Sequence, residues 1–217
     1  MTLALFDLDN TLIAGDSDYA WGQFIVTKDM VNKETYAAAN QQFYQDYVRG
    51  ELDAVAYQQF AMAPLKGRTL KEMAALHAEF MCTYIEPIWL SKAVDLIGLH
   101  RQKGDRLVVV TATNRFVVEP IVQALGIDDL VCSETVVVDG RYTGELLDEP
   151  YMGQGKVSKL QRWMTANNES LQCATFYSDS HNDLPLLNMV PNPVAVDPDD
   201  RLRHTAEQQG WEIISLR

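Results

Sequence analysis

The chain is poor in positive charge. Its 217 residues include 18 Lys and Arg against 30 Asp and Glu, so the formal net charge is −12 and the pI is near 4.7. Nucleic-acid binding needs a basic surface, and anionic membrane surfaces attract basic segments. The charge therefore argues against both kinds of partner, although it does not identify a substrate.

Cysteines and long apolar runs are also scarce. The three cysteines, Cys82, Cys132 and Cys173, are scattered without the spacing of a metal site, which favours a reducing compartment over a disulfide framework. No apolar run approaches the roughly 20 residues of a transmembrane helix. Residues 2–6 have the pattern of a first core strand and leave no room for a signal peptide, so we expect a cytoplasmic protein.

The amino-terminal part of the chain changes character after one strand. Residues 2–8 are typical of a buried parallel strand. Residues 16–87 are rich in Ala, Gln, Tyr and Phe at helical spacing, and they predict about four helices interrupted at Asn32, Gly50 and Gly67.

An alternation of helices and strands follows Pro87. It begins with a helix capped by Ser91 and ending at Gly104, a strand over 106–111 and a helix to Gly126. In that second helix, Pro120 marks the first turn or a kink. The alternation continues with a hairpin over 135–143, a helix from Lys156, a strand over 174–178 and further βαβ segments to Ile214. We expect a doubly wound, mostly parallel α/β core formed by residues 1–15 and 88–217. The expected helical insert, residues 16–87, would be a cap that closes over a substrate.

The most informative motif is ALFDLDNTLIAGD at residues 4–16. Asp7, Asp9 and Thr11 lie two residues apart, so a strand would present them together at its carboxyl edge, where open α/β sheets bind ligands. Two close carboxylates repel by roughly 4 kcal/mol at an effective dielectric of about 20. A bound cation, most simply a metal ion, would offset that repulsion.

Three more groups of polar residues occur at strand ends or helix starts. Thr111 ends the apolar strand, and Ala112, Thr113 and Asn114 are expected in the turn after it. Lys156 begins a helix, and Asp179, Asn182 and Asp183 lie in FYSDSHNDLPLL. Each group alone is compatible with an ordinary turn, cap or solvated surface. Together they supply four carboxylates, whose oxygens suit Mg²⁺, and a hydroxyl, a lysine and backbone N–H groups that suit a phosphate.

The ordered motifs D-x-D-x-T, Thr, Lys and S-D-x-x-N-D resemble those of haloacid-dehalogenase-like phosphatases, in the phosphoserine-phosphatase-like branch. The resemblance covers about residues 2–15 and 90–200, whereas the insert matches only in position and helical character. It implies a phosphomonoesterase with a Rossmann-like core, a Mg²⁺ cofactor and a small phosphorylated metabolite as substrate. The oligomeric state stays open.

The resemblance also implies a role for each motif residue. Asp7 would be the nucleophile that forms an aspartyl-phosphate, and Asp9 would be the general acid and base. The implied phosphate-binding residues are Thr11, Thr111, Ala112, Lys156 and Asn182. The implied metal ligands are Asp7, Asp9 (through its backbone carbonyl), Asp179 and Asp183. Asp183 could alternatively orient Lys156. No family role corresponds to His181. A carboxylate at Asp9 favours hydrolysis, although a phosphotransferase that uses an acceptor alcohol would need the same residues.

The resemblance leaves the substrate open between two amino-alcohol phosphates. Asp16 occupies the place where phosphoserine phosphatases hold the substrate amine, although it could equally be a hinge or a helix cap. Their carboxylate-binding arginine should lie near residues 58–64, which contain no basic residue, and neither Arg49 nor Arg68 is in register. Residues 16–87 hold ten Asp and Glu against six Lys and Arg. The segment TATNRF at 111–116 is similar to that of relatives associated with histidinol phosphate. We therefore expect histidinol phosphate first and phosphoserine second.

Overall fold

A six-stranded parallel sheet forms the centre of the molecule. The computed structural model describes residues 2–148 and 153–217. The sheet has the order β3-β2-β1-β6-β7-β8, and every neighbouring pair is parallel. Its strands are β1 (Leu3–Phe6), β2 (Arg106–Asn114), β3 (Asp129–Ser133), β6 (Thr175–Ser178), β7 (Asn192–Val196) and β8 (Glu212–Ile214). The predicted doubly wound α/β fold is confirmed, and β1 lies near its middle.

Both faces of this sheet are covered, which explains its continuous apolar runs. All four residues of β1 are buried. Leu3 and Leu5 face one apolar cluster, whereas Ala4 and Phe6 face the other. This alternation follows from the two-residue period of a strand. The helices outside the insert are α5 (Ser91–Lys103), α6 (Arg115–Ala124), α7 (Gln154–Asn167), α8 (Leu184–Leu187) and α9 (Asp200–Gln209).

Four α-helices lie between β1 and α5, as the helical spacing predicted. They are α1 (Ser17–Thr27), α2 (Lys33–Arg49), α3 (Ala54–Met62) and α4 (Leu70–Phe80), and short 3-10 and π segments at 63–65 and 81–88 follow α3 and α4. Each begins at a capping side chain that accepts a backbone N–H bond: Asp16, Asn32, Asp53 and Thr69. Gly50 ends α2 with φ +74°, in the left-handed region that glycine tolerates.

The helical insert is not packed uniformly against the sheet. Trp21 and Phe24 of α1 and Phe80 of α4 belong to the same apolar cluster as Phe6 of β1. In α2, by contrast, Asn40 is the one fully buried residue. The core and cap boundaries at 16–87 stay a prediction, because the apolar core runs continuously from the sheet into α1.

Three local predictions need correction. Ser91 is the first residue of α5 and not its cap; Leu90 holds that position without a side-chain bond. Pro120 is the sixth residue of α6 and so lies beyond its first turn. Strand β2 continues to Asn114, so the residues after Thr111 are not in a turn. The pairing of β2 with β3 shifts register between Val110 and Asn114.

The predicted hairpin is confirmed as β4 (Thr135–Val138) and β5 (Arg141–Leu146), joined by Asp139 and Gly140, both with positive φ. It lies against the segment that connects α3 to α4. The backbone N–H of Gly67 donates to Tyr142 O at 2.8 Å, and Tyr142 N donates to Arg68 O at 3.0 Å. The hairpin therefore joins the insert to the α/β core through backbone hydrogen bonds.

No helix in the described ranges 2–148 and 153–217 combines the length and apolarity needed to cross a membrane.

Candidate active site

The residues that follow the central strands meet a cavity at the carboxyl edge of the sheet. Asp7 and Asp9 leave β1, Thr111 to Asn114 end β2, and Asn182 and Asp183 follow β6. Lys156 reaches the same cavity from the first turn of α7. Helices α1, α2 and α3 cover it with mostly aromatic, amide and acidic side chains: Asp16, Asp18, Tyr19, Asn40, Phe43, Tyr44, Tyr47, Tyr57 and Gln58.

Lys156 joins two strand ends. Its Nζ donates to Asp7 Oδ1 at 2.7 Å and to Asp183 Oδ2 at 2.8 Å, and Ser178 Oγ donates to the same Asp183 oxygen at 2.8 Å. All three charged side chains are more than nine-tenths buried. Burial lowers the pKa of Lys156, but the carboxylates of Asp183 and Asp7 outweigh it and raise the pKa overall. Lys156 is therefore charged in the folded protein.

Asp7 combines deep burial with several charged neighbours. Burial raises its pKa to about 7, assisted by Asp183 and Asp9 and opposed by Lys156. One lysine therefore does not compensate the carboxylates around it. An additional cation in this part of the cavity would restore the charge balance.

Thr11 lies beside Asp179 and is fully buried. Its Oγ1 donates to Asp179 Oδ1 and accepts from Asp179 N, both at 3.1 Å. The role of Thr11 in binding phosphate stays a prediction. In this structure its hydroxyl bonds Asp179, a residue 168 positions away.

Asp9 is held by the insert and by β2 together. Its Oδ1 accepts from Ser17 N at 2.7 Å, and its Oδ2 accepts from Thr113 Oγ1 at 3.0 Å. Burial raises its pKa to about 6, with a smaller contribution from Asp16. A carboxyl group in this range can exchange protons near neutral pH, as a general acid and base must.

Asp16 both caps a helix and lines the cavity. It caps α1, and its Oδ1 accepts from Tyr19 N at 2.8 Å. It also lines the cavity, and burial, assisted by Asp18, raises its pKa to about 6. The two interpretations of Asp16 as a helix cap and as a cavity residue are therefore compatible.

The other predicted phosphate-binding residues lie around the same space. Thr111 and Ala112 line the cavity at the end of β2. Asn182 lines it after β6, and its buried Nδ2 has no hydrogen-bond partner in the part of the chain that the structure describes. A buried donor without a partner is costly, and a ligand acceptor such as a phosphate oxygen would satisfy it.

The predicted Mg²⁺ ligands fit the cation in part. Across residues 2–148 and 153–217, no three acidic, His or Cys side chains are grouped as a complete ligand shell. Burial and the charge of Asp7 raise the pKa of Asp179 well above its ordinary value, so these two carboxylates lie close enough to repel. The side-chain oxygens of Asp9 accept from Ser17 N and Thr113 Oγ1, and its backbone carbonyl stays the predicted metal ligand. The donors are oxygens, which is the ligand type Mg²⁺ prefers.

The sequence did not indicate some residues that support the site. Thr113 lies two residues after Thr111 and holds Asp9, a spacing that could have revealed it. Ser17 acts through its backbone N–H, which no side-chain motif signals. His181, by contrast, is absent from the cavity lining and its Nδ1 contacts Asp199 Oδ2 at 2.8 Å.

Comparison with known proteins identifies the family. Residues 4–188 match the model of the haloacid dehalogenase-like hydrolases. A histidinol-phosphatase of Neisseria meningitidis serogroup C (strain 8013) is 40% identical over 219 residues, with 99% of each chain covered. Phosphoserine phosphatase SerB1 of Mycobacterium tuberculosis (strain ATCC 25618 / H37Rv) is 31% identical over 99% of this chain and 70% of that protein. A crystal structure of a protein of unknown function from Bordetella pertussis Tohama I has a TM-score of 0.93 at 38% identity, with both chains covered completely.

The chain therefore belongs to the haloacid dehalogenase-like hydrolase family, as its motifs predicted, and it is a phosphatase of that family.

Proposed function

We propose that this protein is a cytoplasmic, Mg²⁺-dependent phosphomonoesterase whose substrate is L-histidinol phosphate. The observation that carries the proposal is the charge of the cavity. Lys156 is the one lysine or arginine that lines it within the described residues, and its ammonium group already bonds Asp7 and Asp183. A leaving group that carries cations and no carboxylate suits such a cavity.

Asp7 attacks phosphorus, and the bond from phosphorus to the leaving alcohol breaks as an aspartyl-phosphate forms. Asp9 donates a proton to the departing alkoxide oxygen, then removes a proton from the water that hydrolyses the intermediate. Its bonds to Ser17 N and Thr113 Oγ1 keep the carboxyl group in place through both steps. Lys156 and the free amide of Asn182 stabilise the negative charge on the phosphoryl oxygens.

Asp7, Asp179 and the backbone carbonyl of Asp9 would hold the Mg²⁺ ion, with Asp183 positioning Lys156. The bound cation supplies positive charge that lowers the repulsion between the substrate phosphate and the surrounding carboxylates.

Phosphoserine fits the cavity less well, because its carboxylate would need a cation. Arg49 pairs with Glu51 at 2.9 Å, and Arg68 pairs with Glu72 at 2.6 Å. Neither arginine lines the cavity. The 40% identity to a histidinol-phosphatase over nearly the whole of both chains supports the same preference.

The test is a phosphate-release assay with histidinol phosphate, phosphoserine and a sugar phosphate, each with Mg²⁺ and with chelator. We expect the highest kcat/KM for histidinol phosphate and loss of activity with chelator. Asp7→Asn is the matched inactive control, because it removes the nucleophile and keeps the side-chain size. Faster turnover of phosphoserine would overturn the substrate assignment.

A second arm distinguishes hydrolysis from phosphoryl transfer. Phosphate release without an added alcohol supports hydrolysis. Release that depends on an acceptor alcohol, with appearance of its phosphate ester, would instead identify a phosphotransferase.

A further inference from the structure

Asp18 is a buried carboxylate on the first turn of α1 that the proposed chemistry does not use. It is 8% exposed and lines the cavity. Within the described residues, no lysine, arginine or histidine pairs with it. Isolated buried charges are costly, so a carboxylate kept in this position indicates a cationic or hydrogen-bond-donating ligand.

The carboxylate of Asp18 is held by a residue of β2. Asn114 Nδ2 donates to Asp18 Oδ1 at 3.3 Å, while Asn114 Oδ1 caps α6 by accepting from Val117 N at 3.2 Å. The hydroxyl of Tyr57, on α3, also lowers the pKa of the Asp18 carboxyl group, although burial raises it overall. These contacts fix the carboxylate without neutralising it.

Asp16 and Asp18 both line the cavity, on either side of Ser17, whose N–H binds Asp9. The carboxylate of Asp16 caps α1 by accepting from Tyr19 N, whereas that of Asp18 accepts from Asn114 of β2. The two carboxylates are therefore separate acceptors in the cavity, and each is available to a different nitrogen group of a ligand.

We propose that Asp18 is a specificity-determining residue that binds a second nitrogen group of the leaving alcohol, distal to its amine, whereas Asp16 binds the amine. The inference rests on the proposed function, in which the distal group is the imidazole of histidinol phosphate. A neutral imidazole offers one N–H donor and an imidazolium offers two, so the ring can donate to a carboxylate in either form. The aromatic side chains of Phe43, Tyr44 and Tyr57 line the space beside it.

The experiment compares Asp18→Asn with the wild type on three substrates. Histidinol phosphate has both the amine and the imidazole. Phosphoethanolamine has the amine alone, and p-nitrophenyl phosphate has neither group. Asn keeps the size of the side chain and an oxygen that can accept from Asn114 Nδ2. We expect kcat/KM for histidinol phosphate to fall at least about tenfold more than kcat/KM for either other substrate, mainly through KM.

Two control variants separate recognition from folding. Asp16→Asn should lower kcat/KM for both amine-bearing substrates relative to p-nitrophenyl phosphate. Asp29→Asn makes the same chemical change at an exposed position outside the cavity, and its selectivity should equal that of the wild type.

Equal losses of Asp18→Asn on all three substrates would show a purely structural role and overturn the inference. An unchanged kcat/KM for histidinol phosphate would also overturn it. A wild type that fails to hydrolyse histidinol phosphate would overturn the proposed function together with this inference. A wild type that prefers histidinol phosphate, combined with an unselective Asp18→Asn, would overturn the inference alone.

Discussion

The contact of Lys156 with two buried carboxylates makes a quantitative prediction about stability. At effective dielectric of about 20, each contact of 2.7–2.8 Å corresponds to a Coulomb attraction of about 6 kcal/mol. The cost of burying the three charges offsets much of this attraction. Measured effects of removing one partner from a buried ion pair are about 3–5 kcal/mol, because the remaining charge loses its compensation.

We therefore expect Lys156→Met to lower the free energy of unfolding by about 3–5 kcal/mol. For a chain of this length, that change lowers Tm by roughly 6–20 °C. Thermal and urea unfolding followed by circular dichroism measures it. The solutions should contain chelator, so that a divalent cation cannot take the place of the ammonium group.

Lys103→Met is the matched control, since Lys103 is exposed at the end of α5. Substitutions of this kind usually change stability by less than about 0.5 kcal/mol. The double variant Lys156→Met/Asp183→Asn should recover part of the loss, because it removes one of the two uncompensated carboxylates. If Lys156→Met were as stable as Lys103→Met, the argument that the ammonium group of Lys156 offsets part of the charge of Asp7 and Asp183 would be wrong.

Three further predictions concern Asp9 and the helices α1 and α4. Asp9→Asn should lower kcat by about 10²–10⁴-fold, and rapid acid quenching should detect more phosphorylated enzyme; unaltered turnover would contradict its role. Gly22→Ala would place the new Cβ 2.5 Å from Asn40 Nδ2. Urea unfolding should therefore show a free energy of unfolding lower by about 1–3 kcal/mol, despite alanine's helix preference. A higher free energy of unfolding would contradict the clash. Burial lowers the pKa of His77, so the imidazole binds a proton more readily in the unfolded chain than in the folded one. The free energy of unfolding should therefore fall as the pH drops below about 6.5. His77→Gln should flatten that decline, and an identical pH dependence would exclude His77 as its cause.

Much of the fold was predictable because its signals are local. Buried parallel strands have continuous apolar sequences, and helices begin and end at recognisable caps such as Asn32 and Gly50. The D-x-D spacing after β1 predicted that Asp7 and Asp9 lie at the cavity, as they do. Chain order and strand-end chemistry together identified the family.

The details that local patterns did not reveal concern interactions between distant residues. Thr11 has the spacing of a cavity hydroxyl, and its bond to Asp179, the residue after β6, depends on the tertiary fold. The extension of β2 past Thr111 depends on pairing of Asn114 with Ser133 across the register shift, which no local pattern encodes. Ser17 holds Asp9 through its backbone, so its role depends on where α1 begins and not on its side chain.

The first turn of α1 contributes to the cavity as well as beginning the helical insert. Asp16, Ser17 and Asp18 are consecutive. Asp16 lines the cavity, the backbone N–H of Ser17 binds Asp9, and Asp18 accepts a bond from Asn114. Eight of the eleven residues of α1 are buried, whereas α2 buries Asn40 alone. Movement that separated α1 from the sheet would break the Ser17–Asp9 bond and expose that apolar surface. We therefore expect the cavity to open through movement of α2 and α3 and not of α1, because those helices carry fewer buried residues.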